Sequence, residues 1–444
     1  MGNPARNFND FAGNRSVYDF VKSFSDLSNY FLSVFCLVKF MGILNRLSDK
    51  YVWEEFFEYK VFQGNLRKNE LEDFRSFIDN GEYQVVVNCI QSSENLSSAR
   101  KILVNKSKAG RKRTVYTFSR EENYVLKLIQ FLLFDYDELF ADNLYSFRKY
   151  TGVKKATDKI LRIKNLDKHF VYKVDISNYF NSVDVAIILP ELKNVFAEDI
   201  KLFEFFERIL TYPYVEYNGE LIEEKRGIMA GVPIASFLAN FYIRELDWYF
   251  YNKNIPYMRY SDDIIVFAET EKDMLDYIDK IKSYLVSRKL VINPEKEVIT
   301  KPHEKWTFLG FSYQNGIIDI SDISFNKLKA KMKRKTKALH RWAEKKNLPG
   351  EYAAKAFVKR FNAKLYDNYI DCEMTWTRWY FPVINTSETL KLIDEYMQYC
   401  IRCLATGKRT KSRFNFRYDD IKKLGYRSLV NEYYKFTEIT EVRE

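Results

Sequence analysis

Two apolar runs flank an acidic pair in the stretch Tyr257-Met258-Arg259-Tyr260-Ser261-Asp262-Asp263-Ile264-Ile265-Val266-Phe267-Ala268, a pattern that predicts two strands joined by a tight turn. Ser and Asp suit such a turn because their side chains hydrogen-bond the local backbone. A further apolar run, Phe170 to Val174, predicts a strand that ends at Asp175. Residues 1 to about 95 instead carry apolar and charged positions at helical spacing, as in Tyr51 to Tyr59. From Arg100 to Thr117 the pattern becomes two β-rich runs around a cationic loop containing Gly110, which predicts a basic hairpin. Ser119-Arg120-Glu121-Glu122 then forms a capping box ahead of the apolar run Asn123 to Phe134, so a helix follows. Between Ile323 and Trp342 a long helix is predicted, with Leu328, Met332, Leu339 and Trp342 on one face and Lys329, Lys333, Lys337 and Arg341 in one i, i+4 row.

A chain of 444 residues exceeds what one compact core holds and suggests two to four subdomains. Lys and Arg exceed Asp and Glu by 11, and the chain is rich in Phe and Tyr. Such a surface suits phosphate backbones and stacked bases, although charge alone equally describes a solvated exterior. The five cysteines, Cys36, Cys89, Cys372, Cys400 and Cys403, are odd in number and scattered, as expected for reduced thiols in a cytoplasmic protein. Cys400-Ile401-Arg402-Cys403 lacks a second pair or a His cluster, so a packed helix face is expected there in place of a zinc or redox site. His169, His303 and His340 are too dispersed for a catalytic cluster. The N-terminus begins Met1-Gly2 but has Arg6 where a myristoylation signal has Ser or Thr. Tyr30 to Leu44 is apolar but too short to span a bilayer, so a buried helix and no membrane role are expected.

The acidic pair changes the picture. Two like charges side by side at the tip of a buried hairpin repel and are costly to desolvate unless a cation sits between them. Asp175, at the end of its own strand, offers a third carboxylate. Oxygen ligands at strand ends suit Mg²⁺, which keeps waters and needs only one or two protein carboxylates plus substrate phosphates. An ordinary exposed Asp-rich hairpin is the competing reading.

Tyr260-Ser261-Asp262-Asp263 resembles the Tyr-x-Asp-Asp box of reverse transcriptases, and Asp175 followed by Phe180 resembles their preceding aspartate box. Further matches fall in order: Gly227 to Asn240, then Leu290 to Lys296, then Phe308-Leu309-Gly310-Phe311, together over roughly half the chain. The resemblance implies RNA-directed DNA polymerase activity with two Mg²⁺ ions, Mn²⁺ being the alternative. The metal ligands it implies are Asp175, Ile176, Asp262 and Asp263, with Lys296 catalytic through the leaving pyrophosphate. It implies dNTP contacts from Lys106, Arg113, Phe180, Ala230 and Gly231, the Phe180 ring excluding a ribose 2′-hydroxyl. Ala230 stands where the commonest family version carries Gln. Primer or template contacts are implied for Arg148, Tyr260, Phe308, Leu309, Gly310, Lys329, Lys333, Lys337 and Arg341.

The expected architecture is an α+β right-hand polymerase. It has a helical N-terminal extension (1–95), fingers (96–170), a palm with an antiparallel sheet (171–312, with a fingers insertion at about 186–225), and a helical thumb with a C-terminal extension (313–444). Expected partners are an RNA template, a DNA product and dNTPs, and a homo-oligomer is compatible with the sequence. Helical extensions at both ends resemble bacterial reverse transcriptases outside mobile elements, notably the antiphage defence groups that copy an associated non-coding RNA. A template-independent polymerase of the abortive-infection type, a retron or intron-maturase-like enzyme, and a non-catalytic RNA-binding scaffold are the alternatives.

Overall fold

The computed structural model describes residues 42–64, 66, 68–105, 112–366 and 375–441. At the N-terminal end, helices Lys50–Gln63, Lys68–Asp79 and Tyr83–Gln91 close around Trp53, which stacks on Tyr83 at 4.7 Å and meets Phe74 and Phe77 edge-on. Phe56 reaches Phe131 of the helix Arg120–Leu132 at 5.3 Å, so this region packs onto the body of the protein. The capping box at the start of Arg120–Leu132 is formed, with Ser119 accepting from the Glu122 N–H and Glu122 from the Ser119 N–H. Glu122 also accepts from Ser97, which ties the helix to the approach to the first strand.

Strands β1 (Ala99–Asn105) and β2 (Lys112–Thr117) form the antiparallel basic hairpin. Strand β3 (Phe170–Asp175) is followed by helices Val185–Val195 and Ile200–Thr211 and by the hairpin of β4 (Tyr214–Tyr217) and β5 (Glu220–Glu223). Here β4 lies parallel to β1, Ala99 opposite Val215, giving a second sheet ordered β2-β1-β4-β5. Helices Ala235–Tyr242 and Arg244–Asn252 lead to β6 (Tyr257–Tyr260) and β7 (Asp263–Ala268), which pair with β3 and β8 (Val298–Thr300) as an antiparallel sheet ordered β6-β7-β3-β8.

Alternation along these strands decides the layering. In β7, Ile264, Val266 and Ala268 belong to one hydrophobic core while Ile265 and Phe267 belong to another; in β3, Tyr172 and Val174 face the first and Val171 the second. Successive side chains of a strand point to opposite faces, so the central sheet is the partition between two cores. Each such fully buried aliphatic or aromatic side chain contributes about 1.5–3 kcal/mol.

The second core is built by β9 (Trp306–Phe308), β10 (Phe311–Gln314) and β11 (Ile317–Ile320) with helices Asp322–Lys345, Gly350–Leu365, Glu388–Thr406 and Leu429–Glu441. The division expected between 312 and 313 falls inside β10. The chain passes to the helical region at Ser321 instead, whose side chain caps Asp322–Lys345 by accepting from the Ser324 N–H. Leu328, Met332 and Leu339 are buried on that helix as expected, but Trp342 is 41% exposed, at the edge of the apolar face. Cys400 and Cys403 are buried on the helix Glu388–Thr406. Among the described residues no helix is long and apolar enough to cross a membrane.

Candidate active site

The turn between β6 and β7 consists of Ser261 and Asp262, with Tyr260 opposite Asp263. Ser261 has φ +60°, a region that non-glycine residues occupy only when their surroundings hold them there. The hold is visible: the Ser261 N–H donates to Ser146 Oγ at 2.8 Å, and the Arg259 guanidinium donates to the Ser261 carbonyl at 3.2 Å. Arg259 is fully buried and pairs with the equally buried Asp247 at 2.5 Å, while Tyr257 donates to the same carboxylate. Its remaining reach is to the Asn240 carbonyl at 3.0 Å. A charged network thus lies directly beneath the acidic turn, with Asp247 and Arg259 supplied by elements 12 residues apart.

Asp175 is brought to this turn by register. It lies opposite Asp263 in the β3–β7 ladder, and the Ile176 N–H donates to the Asp262 carbonyl at 3.1 Å. The segment after helix Glu271–Ser287 comes alongside: the Asn293 N–H donates to the Asp175 carbonyl at 2.8 Å, and Lys296 Nζ donates to the Asp175 carboxylate. Asp175, Ile176, Asp262 and Lys296 all line a cleft of about 720 Å³. Burial, and then the Asp175 charge, raise the Asp262 carboxyl above its ordinary range. Burial raises Asp263 to about 6, with Lys173 pulling the other way. Burial lowers Lys296, but the Asp175 carboxylate bonded to it and the charges of Asp263 and Asp262 more than offset this and hold the ammonium above its usual value. In this arrangement Lys296 is the charge partner of Asp175.

Arg113 of β2, Phe180 and Ala230 form the walls of the same cleft. Phe180 is half-buried, edge-on to Phe147 at 6.3 Å. Its carbonyl accepts from the Ile228 N–H at 2.9 Å, and Gly227 has φ +56° with no room for a Cβ, which would stand 2.5 Å from that carbonyl. Asn181, unassigned by the sequence reading, clamps two walls together: its side chain accepts from the Ala230 N–H at 3.0 Å and donates to the Thr114 carbonyl of β2 at 3.3 Å. Gly231 does not line the cleft. It backs onto β2, where a Cβ would come within 2.9 Å of the Tyr116 carbonyl, and it serves close packing of the hairpin. Lys106 lies outside the described residues.

Several expected contacts are placed elsewhere. The Arg148 side chain is 7% exposed and spends its guanidinium on Asp137 at 2.7 Å and on the Ala141 and Leu144 carbonyls, which makes it a loop brace in place of a template contact. Phe308 is buried in the second core, Tyr260 is half-buried against it, and Leu309 and Gly310 turn between β9 and β10 with the Leu309 carbonyl accepting from Trp379. None of these four lines the cleft. On Asp322–Lys345, Ile323 and Lys327 line it. Lys329 is two residues and some 200° round the helix from Lys327, with Lys333 one turn further on, and packs over Phe325 and Tyr396. Lys337 and Arg341 are exposed on the same helix and are likewise absent from the cleft lining. The i, i+4 row was legible, but which side of the helix meets the cleft depends on how the helix packs. Asn293 and Glu295, inside a stretch singled out by sequence, also line the cleft.

Among the described residues no three His, Cys, Asp or Glu side chains are grouped as a ready-made cage for a metal ion. The donors present are the Asp175 and Asp262 carboxylates with open cleft before them, Asp263 adjoining. Carboxylates gathered at an open cleft, with Asp262 and Asp263 raised by burial, fit a hard cation that completes its shell with water and substrate oxygens.

Residues 104–313 match the family model of reverse transcriptases (RNA-dependent DNA polymerases). No curated protein matches the chain in sequence. Among solved structures, apo telomerase from Candida tropicalis superposes with TM-score 0.42 and 13% identity over 74% of this chain and 59% of that one. A form of it truncated of its C-terminal domain gives 0.40 and 14% over 50% and 55%. Telomerase from Candida albicans in complex with a fragment of telomeric RNA gives 0.41 and 12% over 82% and 68%. The chain therefore spans a little over half the length of the first two. The three aspartates and all of the cleft lining but Ile323 and Lys327 fall within the matched segment, and residues 104–313 are a reverse transcriptase domain.

Proposed function

We propose that the chain synthesises DNA from dNTPs on an RNA template. The observation that carries this is the convergence of Asp175 and Asp262 on one cleft whose walls are Arg113 and Phe180. Divalent cations, Mg²⁺ or Mn²⁺, held by Asp175 and Asp262 with Asp263 in support, would supply charge neutralisation for phosphoryl transfer and activation of the primer hydroxyl. The protein's own part is positioning. Arg113 offers parallel N–H donors to the triphosphate, Phe180 crowds the sugar where a 2′-hydroxyl would stand, and Lys296 meets the departing pyrophosphate as a fixed charge. The resemblance to bacterial defence-associated enzymes supports an associated non-coding RNA as template, an antiphage role and a cytoplasmic setting.

The test is incorporation of labelled dNTPs by purified protein with Mg²⁺ on a primed RNA. RNA-dependent product is expected, and Asp262→Asn or Asp175→Asn should lower the rate by about 10³-fold or more while leaving the melting temperature within a few degrees. Homopolymer made without template would replace this reading with the template-independent one. Bound RNA with no synthesis under any of these conditions would leave a scaffold.

A further inference from the structure

The cationic row of the long thumb helix, turned away from the cleft, runs into a second feature. Lys329 lies over the Tyr396 ring at 5.0 Å, and Tyr396 stacks on Tyr399 at 5.8 Å with planes 24° apart. The Arg413 guanidinium lies over Tyr399 at 5.2 Å and over Phe414 at 4.5 Å, and Arg402 lies 5.2 Å from the Phe414 ring centroid. Three elements contribute: the helices Asp322–Lys345 and Glu388–Thr406 and the short turn Lys411–Asn415. Phe414 is 54% exposed, and Lys408, Arg409 and Lys411 stand out beside it.

The charge here is one-sided. From Tyr396 to Tyr418 the chain contains no Asp or Glu. Arg402 and Arg413 spend hydrogen bonds on carbonyls, Arg402 on Phe416 and Arg413 on Arg409 and Thr410, and neither neutralises its charge on a carboxylate among the described residues. Elsewhere in this region cations are paired, as in Lys422 with Asp419 and Arg427 with Glu432. A ladder of rings and unneutralised cations that ends in the exposed Phe414 offers a planar face to a base and point charges to phosphates at once. Paired bases hide their faces inside a helix, so a ladder of this kind suits unpaired nucleotides.

We propose that this outer face of the thumb is a binding surface for single-stranded RNA, separate from the catalytic cleft. The proposal stands independently of the polymerase reading, because none of these residues lines the cleft.

The test measures binding of the full chain to a fluorescent single-stranded RNA of about 20 nucleotides and to a duplex RNA of the same length, over a salt series. Lys408→Glu with Arg409→Glu should weaken single-strand binding at least tenfold and make the salt dependence shallower by about 1.4 in log–log slope, two phosphate contacts at about 0.7 each. Phe414→Ala, which leaves all charges in place, should weaken single-strand binding at least fivefold and duplex binding less than twofold. Photocrosslinking should recover RNA on the peptide holding Tyr399 or Phe414. Unchanged affinity in both variants, equal losses for duplex and single strand on Phe414→Ala, or crosslinks confined to the cleft would each overturn the proposal.

Discussion

At the scale of single residues, the acidic side chains define what the protein must do with charge. Asp263 has a carboxyl raised to about 6 by burial, against an unfolded value near 4. A raised acid binds its proton more tightly in the folded state, so the stability it lends is full below about pH 4 and is lost as pH rises through 6. In EDTA, the melting temperature is therefore expected to fall between pH 5 and pH 7, a loss on the order of 1 kcal/mol, and Asp263→Asn should flatten that fall. An equal slope in the variant would assign the fall to other groups. Phe180→Ala should reduce discrimination against rNTPs by roughly 10- to 100-fold in kcat/KM, since only steric exclusion is removed. Unchanged sugar selectivity would take the ring out of the gate role. The aspartates were legible in the sequence because each sits at a strand end recognisable from its own apolar run. Arg148 was not, since its bond to Asp137 depends on how a loop folds back, and a basic residue in sequence does not reveal whether its charge is already engaged.

At the scale of elements, the β6–β7 turn is held in its left-handed backbone by what lies beneath it. The Arg259–Asp247 pair is buried on both sides, and removing one member strands the other, at a cost of about 3–5 kcal/mol. Asp247→Leu alone should accordingly lower the denaturation midpoint sharply. Combining it with Arg259→Leu should recover much of that stability while polymerase rate stays low, because the donor to the Ser261 carbonyl is gone. Full activity in the double variant would show that the turn needs no such support. The hairpins, the capping box and the long helix Asp322–Lys345 were legible from local periodicity. The parallel pairing of β1 with β4 was not, because it joins strands more than a hundred residues apart and leaves no trace in either one's pattern. The same holds for Asn181, a short polar side chain whose two bonds reach segments far along the chain.

At the scale of the whole molecule, composition and ordered motifs gave the α+β class and the helical flank on each side of the catalytic region. They did not give the partition, in which one sheet serves two cores, because deciding that both faces of a strand are covered requires knowing what covers them. That partition has a consequence for motion. From Ile264 to Ala268 neither face of β7 meets water, and both its edges are occupied, by β6 and β3, so these amides have no local route to solvent. The amide protons of Ile264 to Phe267 are expected to be among the last to exchange with deuterium, at a rate set by global unfolding, whereas those of the β1–β2 hairpin, with Ile102, Leu103 and Val104 exposed, should exchange early. The spacing of the acidic groups at the ends of β3 and β7 is thereby insulated from movement of the β1–β2 hairpin on one side and of the helices of the second core on the other.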